Sequence, residues 1–283
     1  MTDIKTRTAD GEDVRSLLSW AEMEGWNPGI DDAHAFHAAD QQGFFVACVN
    51  DDPVAGISLV KQNPRQAFLG LYLCLPQYRG RGLGLAVWEQ ALGYAGDCAI
   101  GLDGVPEQQE NYQRSGFVYQ HRTIRYAGQL PEATGQQLTT HSRQYQAAEF
   151  DAIVSLDAET GGVLRETFYR SWLCASATRH SFVYEEHEEI TGFITIRRCV
   201  SGFKIGPLLA KNTRCARELI ARAASVAGPE SVSIDVPEVN GAGIELAQQL
   251  QLLPVFETAR MYKGAIPTMQ PNAVFGVATL ELG

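Results

Sequence analysis

The sequence predicts an α/β protein in which one mixed-sheet fold occurs twice. Strand-like and helix-like segments alternate along the first half of the chain. The second half repeats the order of those segments roughly 135 residues later. With 283 residues, of which 45% are hydrophobic and 20% are charged, the chain can bury a core in each copy. We expect domains over 1–130 and 140–283, joined by a polar linker over 131–139.

Two predicted helices and a three-stranded segment open the first copy. Residues 11–24 have apolar side chains at helical spacing and acids near the start. Residues 31–40 predict a shorter helix with an aspartate at the cap position. Apolar runs over 43–49 and 54–62 flank the turn "NDDP" and therefore predict a β-hairpin, and 67–75 predicts a third strand.

The remaining elements of the first copy follow a glycine-rich stretch. The residues directly after the glycines predict a helix, because their apolar side chains recur at helical spacing. Residues 98–104 predict a strand, and 106–115 predict a short helix that starts with a proline and ends before a glycine. Residues 117–128 predict the closing strand.

The second copy shows the same elements in the same order. Strand and turn segments, a helix and a closing strand recur over the segments 182–196, 203–210, 214–228, 232–238 and 259–264. Arg125 and Arg260 occupy equivalent positions in the two closing strands, and we expect both to make structural hydrogen bonds. The last residues, 273–283, alternate in polarity and predict one added strand.

The composition narrows the classes of function. The net charge of −10 and the pI of about 5.1 argue against binding to nucleic acid or to an anionic membrane. None of the six cysteines forms a CxxC pair, and His34 and His37 alone are too few to hold a metal. The polar N-terminal residues and the absence of a long apolar run predict a cytoplasmic protein without a bound metal.

The stretch "QYRGRGLG" (77–84) lies where a strand becomes a helix. Free amides at a helix N-terminus, flexible glycines and two arginines together predict an anion site, most simply for a phosphate. A P-loop is excluded because leucine and alanine follow the last glycine in place of Lys and Ser/Thr. A dinucleotide fingerprint fails at its third glycine. The alternative is an ordinary strand-to-helix turn with a basic surface.

The pattern from Arg79 to Gly84 resembles the R/Q-x-x-G-x-G/A signature of the GCN5-related N-acetyltransferase (GNAT) superfamily. "NYQRSGF" (111–117) resembles the second landmark of that family, a helix that ends in Tyr-x-x-x-Gly-Phe. The motifs cover residues 1–130, whereas 140–283 resemble the family in architecture alone. The resemblance implies tandem GNAT folds, each with a mostly antiparallel twisted sheet flanked by helices.

The resemblance also implies acetyl-CoA as the co-substrate. Its diphosphate would lie on the turn formed by Arg79, Gly80, Arg81, Gly82, Leu83 and Gly84. Its pantetheine would pair with the end of the preceding strand, at Leu73, Cys74 and Leu75. Tyr112 matches the tyrosine that protonates the leaving thiolate, and a packing role is its alternative.

The sequence departs from the family pattern at the general base. "LGLYLCL" (69–75) lacks the strand glutamate of many members, which leaves Asp103 as the nearest candidate, followed by Glu107, Glu110 and Glu24. Val105 replaces an asparagine that often precedes the tyrosine by seven residues. On the substrate side, the resemblance implies a cap formed by the loop residues Glu24, Trp26 and Asn27.

The second copy has lost the family's working parts. "LAKNTRCA" (209–216) lacks the glycine signature, and Ala247 stands where the tyrosine would be, although Asn240 matches the landmark asparagine. We therefore expect an active first copy and a degenerate second copy that closes over the substrate or forms a homodimer surface. The function implied is acetyl transfer to a primary amine of a small molecule or peptide. A non-catalytic acyl-CoA sensor or assembly subunit is the alternative, and a dinucleotide oxidoreductase is a more distant one.

Overall fold

The structure is a computed structural model that describes residues 4–131 and 141–283. All of the predicted linker except residue 131 lies outside the described residues, and so does residue 140. No helix within the two described ranges is long and apolar enough to cross a membrane.

The first half contains six strands and four α-helices within its described part. They are β1 (Lys5–Thr8), α1 (Gly11–Met23), α2 (Asp32–Ala39), β2 (Phe44–Val49), β3 (Asp52–Asn63), β4 (Gln66–Cys74), α3 (Leu83–Ala95), β5 (Ala99–Gly104), α4 (Gln109–Arg114) and β6 (Val118–Gln129). Every predicted element is present, and the short strand β1 was not predicted. Asp31 precedes α2 but does not cap it, because its carboxylate accepts hydrogen bonds from Ser176 and Thr178 of the second half instead.

The second half has the same elements and a further short strand. They are β7 (Ser142–Gln144), α5 (Phe150–Gly161), α6 (Glu166–Trp172), β8 (Arg179–Glu186), β9 (Glu189–Arg198), β10 (Phe203–Ala210), α7 (Thr213–Ala227), β11 (Ser231–Pro237), α8 (Gly241–Gln249), β12 (Leu253–Lys263) and β13 (Val274–Gly276). The prediction of a strand over 273–283 is right only for β13. The residues after β13 leave the sheet and cross toward the first half.

One continuous mixed sheet joins the two halves, in the order β1-β2-β3-β4-β5-β12-β6-β11-β10-β9-β8-β7, with β13 beside β10. The two closing strands are exchanged. β12, from the second half, pairs with β5 of the first, and β6, from the first half, pairs with β11 of the second. β6 and β12 also pair with each other at the centre. A domain boundary at residue 130 therefore separates the two copies in sequence. In space, the closing strand of each copy lies in the other copy's part of the sheet.

Two arginine–aspartate pairs fix the exchanged strands. On β6, Arg125 donates from Nε and Nη2 to the two carboxylate oxygens of Asp235, at 2.7 and 2.9 Å. On β12, Arg260 does the same to Asp103, at 3.0 and 2.7 Å. All four side chains are at least nine-tenths buried. The expected structural hydrogen bonds of Arg125 and Arg260 are confirmed, and each runs to the aspartate of the other half.

The hydrophobic core has one large part in each half, a third part between them and a small fourth part around β13. α3 packs on the sheet of the first half, and α7 packs on that of the second. The third part lies between α1 and α2 of the first half and α6 of the second, where Phe36 stacks on Trp172. The contact between the halves is therefore a buried core as well as a sheet.

The Arg260–Asp103 pair predicts a measurable dependence of stability on the strand exchange. Arg260→Ala leaves the buried Asp103 carboxylate without a cationic partner, with only the Thr258 hydroxyl at 3.5 Å, so we expect the free energy of unfolding to fall by about 3–5 kcal/mol. Replacing both residues by apolar ones, Arg260→Met with Asp103→Leu, should recover most of that loss. Urea unfolding followed by circular dichroism measures both effects.

The control is Arg114→Ala, which removes an exposed ion pair to Glu110. Pairs of that kind contribute roughly 0–1 kcal/mol. Equal losses for Arg260→Ala and Arg114→Ala would contradict the proposed importance of the buried pair.

Candidate active site

The cleft of the first half opens where β4 and β5 diverge. The two strands pair in parallel only from Gln66 to Leu69 and from Ala99 to Leu102. Beyond that point β4 has a bulge, where its register against β3 shifts between Gly70 and Leu73 and where Leu71 adopts a φ of 45°. The edge of β4 that faces β5 is therefore left without a strand partner, and a cavity lies beside it.

The glycine-rich turn lies at the mouth of this cleft. Gly80 and Gly82 have φ angles of 74° and 83°, a region that favours glycine, and α3 begins at Leu83. No side chain caps α3, and the backbone amides of residues 80–85 have no hydrogen-bond partner within the described chain. The turn thus presents free N–H groups at the positive end of a helix dipole, which is the geometry that binds a phosphate.

The two arginines of the turn differ in their contacts. The side chain of Arg79 turns back, donates from Nε to the Cys74 carbonyl oxygen at 2.9 Å, and pairs with Glu24. Arg81 is exposed, and its guanidinium lies 5.3 Å from the ring centroid of Tyr78. Arg79 therefore ties the turn to the end of β4, whereas Arg81 remains available to an anionic ligand.

Tyr112 lies deeper in the cleft, on α4. Its ring stacks on Trp88 with centroids 5.9 Å apart, and it packs so closely on Gly104 that a Cβ there would lie 2.8 Å from it. The phenol has no hydrogen-bond partner in the part of the chain that the structure describes, although it lines the cavity. Burial raises the pKa of Tyr112, and the neighbouring Tyr72 raises it further. The phenol is therefore protonated at neutral pH, as a proton donor must be.

Asp103 lines the same cavity, but Arg260 occupies its carboxylate. Both oxygens accept from the guanidinium, and the side chain is fully buried. The structure also shows the surroundings of the other residues that the sequence offers as the general base. Glu24 pairs with Arg79, Glu110 pairs with Arg114, and Glu107 is exposed at the mouth of the cleft. The geometry gives Asp103 a clear role in holding β12, and its role as a base stays a prediction.

The loop that was predicted to cap the substrate is docked on the second half. The side-chain amide of Asn27 donates to the Ser201 carbonyl oxygen at 2.8 Å and its oxygen accepts from the Ser201 amide at 2.9 Å. The Trp26 carbonyl oxygen accepts from Arg125 at 3.0 Å and from Lys204 at 3.4 Å. Trp26 and Glu24 also border the cleft. The loop is thus positioned beside the cavity by contacts that cross between the halves.

Several residues of the second half line the same cavity as Tyr112, and the sequence analysis missed them. They are Phe256, Thr258, Leu280 and Glu281, with Arg125 from the exchanged strand β6. No local pattern marks them, because β12 and the residues after β13 reach the cavity only through the strand exchange and the crossing of the chain end.

The equivalent slot of the second half is filled by the chain itself. β13 pairs with β10 at Leu208 and Leu209, and the Val277 amide donates to the Asp235 carbonyl oxygen at 3.0 Å. The landmark residue Asn240 caps α8 and donates to the Val274 carbonyl oxygen at 2.9 Å, so it holds β13 in place. The strand therefore occupies the space between β10 and β11 that the first half leaves open between β4 and β5.

The turn of the second half is closed as well. The Asn212 side chain caps α7 by accepting from the Cys215 amide at 3.0 Å. An amide of the first helical turn is thus already paired, whereas the corresponding amides of α3 are free. No cluster of three or more metal-ligating side chains occurs in residues 4–131 and 141–283.

A cleft of this form, with free amides at a glycine turn and a tyrosine between diverging strands, agrees with the site that the family resemblance implies for acyl-CoA. A model of the Acetyltransferase (GNAT) family matches residues 11–117, and a model of an Acetyltransferase (GNAT) domain matches residues 153–276. The chain belongs to the GNAT family, with two GNAT domains in tandem.

Individual relatives agree with this assignment. The chain is 32% identical over 283 residues to the holothin acyltransferase of Pseudoalteromonas sp. (strain SANK 73390), covering 98% of this chain and 94% of that protein. A putative acetyltransferase from Pyrococcus horikoshii has a similar fold, with a TM-score of 0.83 at 21% identity over 99% of this chain and 96% of that one. A tandem GNAT protein from the clavulanic acid biosynthesis pathway has a TM-score of 0.61 at 12% identity, covering 94% of this chain and 100% of that one.

The contrast between the two slots predicts one CoA site per chain. Isothermal titration calorimetry with CoA should give one equivalent bound. Gly82→Ala forces an alanine into a left-handed conformation that costs about 1–2 kcal/mol, and its methyl group points into the open turn. We expect CoA affinity to fall at least tenfold, which corresponds to about 1.4 kcal/mol.

Gly93→Ala is the matched control, because Gly93 lies on the same helix with open space around its Cβ position. This change should leave CoA affinity unaltered and stabilise the helix slightly, by about 0.5–1 kcal/mol. Two equivalents of CoA per chain would contradict the closed second slot, and equal effects of the two alanines would contradict the role of the turn.

Proposed function

We propose that the protein transfers an acetyl group from acetyl-CoA to a primary amine. One observation carries the proposal: the cleft of the first half is open and joins the amide-lined turn to the free phenol of Tyr112. When bound, acetyl-CoA supplies a thioester whose acyl group is transferred. The substrate amine is expected on a small molecule or a peptide, and it reaches the thioester from the side bordered by Glu24, Trp26 and Asn27.

The residues of the first half fit the parts of acyl-CoA. The free amides of the turn, with Gly80 and Gly82, would hold the diphosphate, and Arg81 would add a positive charge. The open edge of β4 at Leu73, Cys74 and Leu75 would hold the pantetheine amides. Backbone amides at the bulge near Leu71 would donate to the thioester oxygen, on which negative charge develops.

Tyr112 would donate the proton that the leaving sulfur requires. Its phenol is protonated, faces the cavity and is free of other hydrogen bonds within the described chain. The wall opposite the turn comes from the second half. That wall includes the aromatic ring of Phe256, so the degenerate copy would shape the pocket for the acceptor.

A non-catalytic acyl-CoA sensor remains the second candidate. The observation that favours it is the occupied carboxylate of Asp103, together with a β4 strand that has no carboxylate. A sensor would bind acetyl-CoA without turnover, whereas an enzyme would release free CoA thiol only when an acceptor is present.

A screen of amines for CoA-thiol release distinguishes the two functions. The panel contains amino acids, polyamines, aminoglycosides, lysine peptides and holothin, the last because one relative of this chain is named a holothin acyltransferase. We expect acceptor-dependent thiol release with at least one amine, and an acetylated product detected by mass spectrometry. Tight binding of acetyl-CoA with no turnover on any amine would favour the sensor.

Tyr112→Phe tests the role of the proton donor. Loss of a general acid typically costs about 10²–10⁴-fold in rate, so kcat should fall by that order while CoA affinity is retained. Because the pKa of Tyr112 is raised, the wild-type kcat should show no alkaline decline below about pH 10, the ordinary pKa of tyrosine. Tyr119→Phe, which changes an exposed phenol bonded to Glu238, is the control and should leave kcat unaltered. Unchanged kcat in Tyr112→Phe would exclude the acid role.

A further inference from the structure

The last residues of the chain connect the closed slot with the open one. β13 fills the slot of the second half, and the chain then runs past the sheet to the bulge of β4. There the backbone of Glu281 packs against Gly70 so closely that a Cβ on Gly70 would lie 2.2 Å from the Glu281 carbonyl oxygen. A glycine at position 70 is therefore required for this approach.

Hydrogen bonds on both sides fix the segment 278–283. Arg197 donates to the Ala278 carbonyl oxygen at 3.4 Å, and Gln62 donates to the Leu282 carbonyl oxygen at 2.8 Å. Arg165 donates to the Gly283 carbonyl oxygen, and the Leu282 amide donates to the Thr279 hydroxyl at 2.8 Å. Glu281 thus sits on a backbone held by both halves of the protein.

Glu281 is one of the residues that line the cavity that also contains Tyr112. Only 6% of the residue is exposed, yet its carboxylate accepts no hydrogen bond from any described residue and is not fully enclosed. The negative charge of Glu281 acts to raise the pKa of Arg125, Arg197 and Lys204, so it favours the protonated form of each. The carboxylate is therefore buried near cations but keeps its oxygens free for a ligand.

Every other carboxylate near the cleft has a different environment. Asp103 is held by Arg260, Asp235 by Arg125, and Glu24 by Arg79. Glu107 is exposed at the mouth of the cleft, on the side of the turn. Within the described residues, Glu281 alone combines burial, access to the cavity of Tyr112 and freedom from an ion pair.

We infer that the Glu281 carboxylate accepts a hydrogen bond from the attacking amine and takes up the proton that the nitrogen loses. This inference rests on the proposed acetyl transfer. Arg125 and Arg197 near the site are paired with Asp235 and Asp32, and burial lowers the pKa of Lys204. The same burial disfavours a positive charge on the acceptor and so favours its neutral, nucleophilic form. Asp103 with Arg260, and the phenols of Tyr72 and Tyr112, complete the polar groups of the cavity.

The step balances with these two residues. The nitrogen forms a bond to the acyl carbon, and the carbon–sulfur bond breaks with its electron pair on sulfur. Tyr112 gives that sulfur a proton, and Glu281 receives one from the nitrogen. Return of a proton from Glu281 to Tyr112 through solvent restores both groups, and the net products are an amide and the free thiol of CoA.

Glu281→Gln in the full chain tests the inference with the acceptor that the amine screen identifies. We expect kcat to fall about 10²-fold or more, with CoA affinity by calorimetry unchanged. The rate of the variant should rise with pH as the acceptor loses its proton in solution, whereas the wild type should be nearly independent of pH over that range. Titration of the acceptor into the CoA complex should show weaker binding to the variant.

Glu281→Ala with added formate separates proton transfer from a purely structural role. Formate can supply a carboxylate to the vacated space. It should therefore raise the turnover of Glu281→Ala and leave the turnover of the wild type unchanged. Glu257→Gln, a half-exposed residue of β12 paired with Arg122, is the matched control and should behave as wild type.

The outcomes are distinguishable. If the wild type binds CoA but acetylates no amine, the proposed function fails. If the wild type turns over and Glu281→Gln does so equally well, the inference is wrong and the proposed function stands. A variant that unfolds more easily and loses activity equally at every pH, with no response of Glu281→Ala to formate, would show that Glu281 only balances the buried cations.

Discussion

The reciprocal exchange of the closing strands is the constraint on which the rest of the structure depends. β5 and β11 would each be an open sheet edge without a partner strand, and an open edge is prone to pair with other chains. The exchange removes both edges, and the two buried forks of Arg125 to Asp235 and Arg260 to Asp103 set the register. Because removal of one partner would leave a buried charge unpaired, neither half can leave the other without a large loss of stability.

The exchange is reciprocal, but the two slots that it frames differ. In both copies two neighbouring strands diverge, and a helix follows the second of these strands. Both copies also have an arginine–aspartate fork, so the framework is the same. The difference lies in local chemistry. Glycines leave the amides of α3 free, whereas Asn212 occupies an amide of α7. β13 supplies to β10 the strand that acyl-CoA would imitate at β4, so the second slot is satisfied by the protein's own backbone.

Sequence patterns were sufficient for most of the elements and for the position of the glycine-rich turn. Apolar periodicity predicted every helix and strand of the first half except β1, whereas β7, α5, α6 and α8 of the second half had no predicted range. The glycine-rich signature predicted a turn with free amides, because turn geometry is a local property. The strand exchange could not be predicted, since β6 and β12 have similar patterns and equivalent arginines, and either would fit beside β5. The short β1, and the departure of residues 277–283 from a strand, depend on distant partners. Asp103 drew attention as the nearest carboxylate in sequence, but its ion partner lies 157 residues away.

The second copy contributes structurally to the cleft of the first. It lost the glycine turn and the tyrosine, but its strand β12 forms one wall of the first cleft and its loop at Ser201 positions Asn27. The segment that blocks the second slot is the one that carries Glu281 to the first. The path of residues 274–283 therefore determines both features: it closes the second slot and completes the first. Substitutions that disturb β13 in the second slot should then also alter the position of Glu281 beside the first.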